Sequence, residues 1–171
     1  MGVLVLSVVS SGAFSPVRWE PRIYEGSLKQ AAVVRSHVRK DLGGFAPGLV
    51  DDVELCVSEL FANAVEYTAS GGEGGEVVRR LSLPEAGLLR VEVADGGFTD
   101  TRPVVAELAG DDWFTSERHR GLLMVSAIAK SWGFYPVYAH PTLNLGLVVW
   151  ADLPLDPAQV PTGLPRFVHT T

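Results

Sequence analysis

Glu59 and Asn63 stand four residues apart in the stretch SELFANAVEYTASGG, Ser58 to Gly72. On a helix that spacing puts a carboxylate and a neutral amide one turn apart on one face. The pair suits phosphate chemistry with Mg2+. The Asn63 amide supplies one hard oxygen ligand, phosphates and water supply the others, and Glu59 stays free as a general base toward a hydroxyl or a water. Taken alone, the two residues fit a solvated polar helix face better than a catalytic pair.

Two further stretches have a chemical reading. In VEVADGGFTD a strand ends in Asp95, followed by Gly96 and Gly97. The carboxylate can accept a hydrogen bond from an exocyclic amine such as that of adenine, and the glycines leave room for a flat ring. The plain alternative is a turn, since Asp-Gly is a common turn signal. In ERHRGLLMV a glycine, Gly121, precedes an apolar helix. Free N–H groups and the positive dipole end at a helix start attract phosphate, and Arg118 or Arg120 adds charge-assisted contacts. Here the alternative is an ordinary helix start with basic residues facing water.

The elements that must position these residues are legible from periodicity. PVRWEPRIYEG predicts a strand from about Val17 to Tyr24. From Ser27, SLKQAAVVRSHVRKDLGG predicts an amphipathic helix with Leu28, Ala31, Ala32, Val34 and Val38 inward and Gly43-Gly44 as its stop. A second helix is predicted from about Pro47 to Thr68. Leu49, Val50, Val53, Val57, Leu60, Phe61 and Ala64 form an apolar stripe of roughly 120°, and Asp52, Glu59, Asn63 and Glu66 form a separate polar one. After the break SGGEGGE, the strands EVVRRLSL and LLRVEVAD read as a hairpin turning at PEAG. The weakly patterned stretch from Gly96 to about Arg118 has the length of a lid or binding loop. RGLLMVSAIAKSWG predicts a buried helix capped by Gly133, and strands near GFYPVY and LGLVVWADL complete the core. Prolines space the C-terminal stretch, which reads as a loosely held tail.

Composition narrows the function classes. The chain has 171 residues, 47% of them hydrophobic, which fits one domain with a real core. A net charge of -6 argues against general nucleic-acid binding, which leaves a basic footprint. One cysteine, Cys56, rules out an intrachain disulfide, and the four histidines are scattered without metal-ligand spacing. Cys56 lies between the two helix stripes and is expected to be packed. A reducing cytoplasm is the expected compartment. The opening MGVLVLSVVS is too short to span a bilayer and has no basic residue before it, so no membrane association is expected.

In this order, ELFANA, VADGG and RGLLMVSAIAKSWG resemble the ATP-binding domain shared by DNA gyrase and histidine kinases, the GHKL or Bergerat fold. Within that group the chain more closely resembles bacterial single-domain anti-sigma-factor serine kinases. The resemblance implies an α+β two-layer sandwich, with a mixed, mostly antiparallel sheet covered on one face by helices. It covers residues 17–153 as the ATP-binding domain, leaving 1–16 as a tail or added strand and 154–171 as a Pro-rich tail. It implies ATP and Mg2+ as cofactors, Asn63 as the metal ligand and Glu59 as the catalytic base. Asp95 would bind the adenine amine, Gly97 would make room for the ring, and Arg120, Gly121 and Leu122 would lie along the phosphates. The partners it implies are a sigma factor, an antagonist (anti-anti-sigma) protein phosphorylated on serine, and a second copy in a homodimer. His119 stands where such proteins usually carry the first glycine of their second motif. That departure supports an alternative, a non-catalytic protein-interaction module with a degenerate nucleotide site.

Overall fold

The structure, a computed structural model, describes residues 16–96, 117–140 and 143–164, with backbone alone at 117–120, 139–140 and 143–144. Strand alternation sets its centre. In β3 (Glu76–Leu83) every second residue from Val77 to Leu83 is buried, and in β4 (Leu88–Asp95) so are Leu89, Val91, Val93 and Asp95. The two pair antiparallel from Val77 opposite Asp95 to Ser82 opposite Arg90, which makes the expected hairpin.

Two short strands, β1 (Val17–Arg18) and β2 (Arg22–Glu25), lie along the outer edge of β3. The single strand predicted from Val17 to Tyr24 is therefore broken, at Glu20-Pro21, where proline has no N–H to give the ladder. On the other side, β6 (Leu143–Pro154) pairs with β4, and β5 (Ser131–His140) is the far edge strand. Every pairing among the described residues is antiparallel. Because β6 is bonded between β4 and β5, the last described strand in sequence is an interior strand of the sheet.

Helices cover one face. The long helix α2 (Pro47–Tyr67) packs on β3, β4 and β6, while α1 (Ala31–Asp41) and α3 (Glu117–Ile128) pack on α2. Val53, Val57, Leu60, Phe61 and Ala64 of α2 are buried as the apolar stripe requires, with Cys56 among them. Burial of these side chains, worth about 1.5–3 kcal/mol each for the large ones, is the main attraction holding α2 to the sheet. In α1 the inward positions are Val34 and Val38, followed by Leu42, whereas Leu28 is exposed. The reason is local: the Ser27 hydroxyl accepts the Lys29 N–H and winds Leu28–Gln30 as a 3-10 turn, which shifts the phase of the preceding residues.

Gly133 does not cap α3. The helix stops at Ile128, and Gly133 lies within β5, where an added Cβ would come 2.9 Å from the Trp150 ring across the strand pair. The C-terminal stretch is held more firmly than expected as far as it is described. Leu155 is buried and donates its N–H to Gly87, and Val160 and Leu164 pack against the core. Residues 1–15 and 165–171 lie outside the described residues. No described helix is long and apolar enough to cross a membrane.

Charged residues fasten the layers. Arg22 and Arg79, opposite each other on β2 and β3, both bond the Asp41 carboxylate at the end of α1. Arg39 grips Glu54 with two bonds of 2.6 and 2.7 Å, joining α1 to α2. The Asp41 carboxyl meets opposing influences, because burial raises its pKa while hydrogen bonds from Arg22 and Arg79 lower it. The two arginines prevail and hold it below the usual aspartate range.

Candidate functional site

Two polar connections bring the end of α2 to the end of β4. The Thr68 hydroxyl donates to the Ala64 carbonyl at 2.6 Å and accepts the Ser70 N–H at 3.1 Å, which ends the helix in a tight turn. Ser70 is then fully buried. Its hydroxyl donates to the Glu76 carbonyl at the start of β3 (2.7 Å) and accepts the Gly96 N–H just beyond β4 (2.9 Å). One side chain thus sets where Asp95-Gly96 lies relative to the helix carrying Glu59 and Asn63.

Asp95 is buried on the helix-covered face at the end of β4. Its Oδ1 accepts the Leu147 N–H from β6 at 3.2 Å, which orients the carboxylate. Gly146 allows that approach. Its φ of +135° is unsuited to other residues, and an added Cβ would come 1.9 Å from the Asp95 carbonyl oxygen. Ser70, Gly146 and Leu147 were not identified from the sequence. The one available signal was a glycine interrupting a strand pattern in NLGLVV, which marks close backbone approach.

Glu59 and Asn63 are both half-buried, and neither has a hydrogen-bond partner among the described residues. A partly desolvated carboxylate left unpaired is costly unless something else occupies its oxygens. Burial, and secondarily the charge of Glu66, raises the Glu59 pKa. A raised carboxylate pKa moves it toward the range useful for a base near neutral pH. The same burial, with a smaller contribution from Glu59, pushes the Cys56 thiol up to about 12, so Cys56 is an inert packed residue.

The first turns of α3 meet this carboxylate. A Cβ built on Gly121 would come 2.4 Å from Glu59 Oε2, so the missing side chain is the space the Glu59 carboxylate uses. Gly121 does not start the helix, as its sequence context suggested, because α3 begins at Glu117. The free N–H groups of the helix start therefore belong to residues before Gly121. Leu122 is buried in the core. The Arg120 side chain and residues 97–116, Gly97 and the expected lid among them, lie outside the described residues. The structure thus brings Glu59 and Gly121 into contact and links α2 to Asp95-Gly96 through Ser70.

Among the described residues no group of three or more His, Cys, Asp or Glu could hold a metal ion. A cation at Asn63 would therefore draw its other ligands from phosphate and water, and the unpartnered amide oxygen fits that donor set.

Residues 25–139 match a family model described as a histidine kinase-like ATPase domain. The chain belongs to this family. This histidine kinase-like ATPase domain is a nucleotide-binding fold, and the matched span contains Glu59, Asn63, Asp95, Gly97, Arg120, Gly121 and Leu122. It stops before β6, the strand that orients Asp95 through Leu147. No curated protein matches the chain.

Proposed function

We propose that this chain is an ATP-dependent regulatory kinase of the anti-sigma-factor type. In this reading it binds a sigma factor in the cytoplasm, works as a homodimer and phosphorylates a serine on an antagonist protein. The observation that carries the catalytic part is Glu59: half-buried, without a hydrogen-bond partner among the described residues, raised in pKa, and laid against the bare surface of Gly121.

Glu59 takes the proton of the attacking serine hydroxyl. The serine oxygen bonds to the γ-phosphorus as the bond from phosphorus to the β–γ bridging oxygen breaks, and ADP leaves with that electron pair. Asp95, oriented by Leu147, accepts the adenine amine. Asn63 would hold Mg2+, whose chemistry is neutralisation of phosphate charge.

The test is calorimetric titration of Mg-ATP into wild type, Asp95→Asn and Glu59→Ala, with ADP formation measured in parallel. Asp95→Asn replaces one acceptor oxygen by a donor facing the adenine amine and should weaken ATP about tenfold or more, a loss of about 1.4 kcal/mol. Glu59→Ala should bind ATP like wild type yet turn over about 10²–10⁴-fold more slowly. Equal turnover by wild type and Glu59→Ala would remove Glu59 from the chemistry.

A further inference from the structure

The face of the sheet opposite the helices carries a groove of about 490 Å³, remote from Glu59 and Asn63 in the layering of the fold. Its walls include Arg18, Arg80 and Arg90, with Ser82, Glu92 and Tyr135 between them. In a chain of net charge -6, three arginines converging on one concavity is a local reversal of sign.

These charges are not spent on one another. Arg18 is exposed and Arg80 half-exposed, and neither has a hydrogen-bond or ion-pair partner among the described residues. Arg90 is fixed by its Nε and Nη2 bonds to Asp152, at 2.7 and 2.8 Å, and lies 4.5 Å over the Trp150 ring. Gly133 leaves the space that lets that ring sit flat. Glu92, the one carboxylate in the lining, accepts the Tyr135 hydroxyl at 2.9 Å. Two unpaired guanidinium groups, and a third held rigid and compensated by Asp152, thus share the groove with Glu92, which stands across from Arg80 in the β3–β4 pairing.

The shape selects among anions. The lining runs from β1 across β3 to β4, where the Tyr135 hydroxyl reaches back to Glu92, which is two strand intervals in the sheet order. At about 4.8 Å per interval that is roughly 10 Å, longer than a single phosphate or carboxylate. An extended chain rising about 3.3 Å per residue covers it with about three residues. Pro16 and Pro21 flank β1, and their missing N–H groups blunt the sheet edge against an added strand, which leaves the groove across the face as the docking direction.

We propose that this groove binds a short, extended acidic segment of a partner protein. Arg18 and Arg80 supply the unpaired charges and Arg90 a fixed guanidinium plane. Such a site would be occupied independently of the nucleotide.

The probe is a fluorescein-labelled hexaglutamate peptide, followed by anisotropy with the full chain, and hexalysine is the control. Expected are saturable hexaglutamate binding that weakens with salt, no hexalysine binding, and at least about a tenfold loss of affinity in Arg80→Glu and in Arg18→Glu. Saturating ATP and Asp95→Asn should leave the affinity unchanged. Both charge reversals face solvent, and either one suffices if the other fails to fold. Absence of saturable binding would overturn the proposal. So would equal affinity in wild type and both variants. Displacement of the peptide by inorganic phosphate at comparable concentration would overturn it too, making the groove a small-anion site.

Discussion

Gly121→Ala separates stability from chemistry in this domain. The added Cβ would come 2.4 Å from Glu59 Oε2, 3.4 Å from its Cδ and 3.5 Å from its Cβ. Ordinary contact needs about 3.5 Å, so only the carboxylate oxygen must move, by about 1 Å. It terminates a flexible side chain, and rotating it away costs little. Gly121 lies inside α3, where alanine is favoured over glycine by about 1 kcal/mol. For a chain of this size that corresponds to a melting temperature equal to wild type or higher by about 2–4 °C. The catalytic consequence has the opposite sign, since a misplacement of about 1 Å at a reacting group can cost about 10²-fold in rate. Basal ADP formation should fall about that much while ATP affinity, measured by calorimetry, stays within about threefold, since no adenine contact changes. Wild-type turnover in Gly121→Ala would refute the placement of Glu59 as base. A fall of several degrees in melting temperature would refute the claim that its carboxylate is the only obstacle.

Three other perturbations bear on the charges. The raised Glu59 pKa places the acid limb of the pH–rate profile above the usual glutamate range, and turnover falls as pH drops through it. Glu66→Gln removes a charge that raises this pKa, so the limb should move to lower pH in steady-state rates measured across pH. Cys56, with its thiol pushed up to about 12 and its side chain buried, should resist iodoacetamide at pH 8 in the native protein and label fully in denaturant, as read by mass spectrometry. Asp41→Asn leaves the buried Arg79 without its counter-charge and should cost about 3 kcal/mol, roughly 6–12 °C in a thermal melt. Because the Asp41 pKa is lowered in the folded state, its contribution is present above about pH 4 and fades as pH falls through the lower folded value, so the gap from wild type should close in acid.

What could be read from the chain follows from how local each signal is. EVVRRLSL and LLRVEVAD alternate with a period of two and meet at PEAG, so the hairpin and the inward direction of Asp95 need no long-range information. The apolar stripe of α2 is equally local. Arg79 breaks the pattern because it occupies an inward position as a charged residue, and its partner Asp41 lies 38 positions away. Gly133 looked like a helix stop because glycine after an apolar helix usually is one, whereas its reason lies across the sheet at Trp150. Gly121 looked like a helix start for a similar reason, and only the approach of α3 to α2 shows that its missing side chain accommodates Glu59. Ser70 was illegible as a site residue because the two hydrogen bonds of its hydroxyl join the end of α2 to the start of β3 and to the end of β4, which meet only in the folded sheet and helix layers.

The distribution of paired and unpaired acids ties fold to function. Asp41, Glu54 and Asp152 are each held by one or two arginines, and each joins separate elements: α1 to the β2–β3 edge, α1 to α2, and β4 to β6. Such pairs tolerate burial because the charge is compensated and its lone pairs are occupied. Glu59 is buried to a comparable degree without an arginine, beside the like charge of Glu66, on the same helix whose other face forms the core. Stability alone would favour a glutamine there, since burial and like charge both penalise the carboxylate. A carboxylate standing against that penalty, in contact with a glycine that makes room for it and on the helix fixed through Ser70 to Asp95-Gly96, fits the proposed role of Glu59 as the base that meets the proton of a bound substrate.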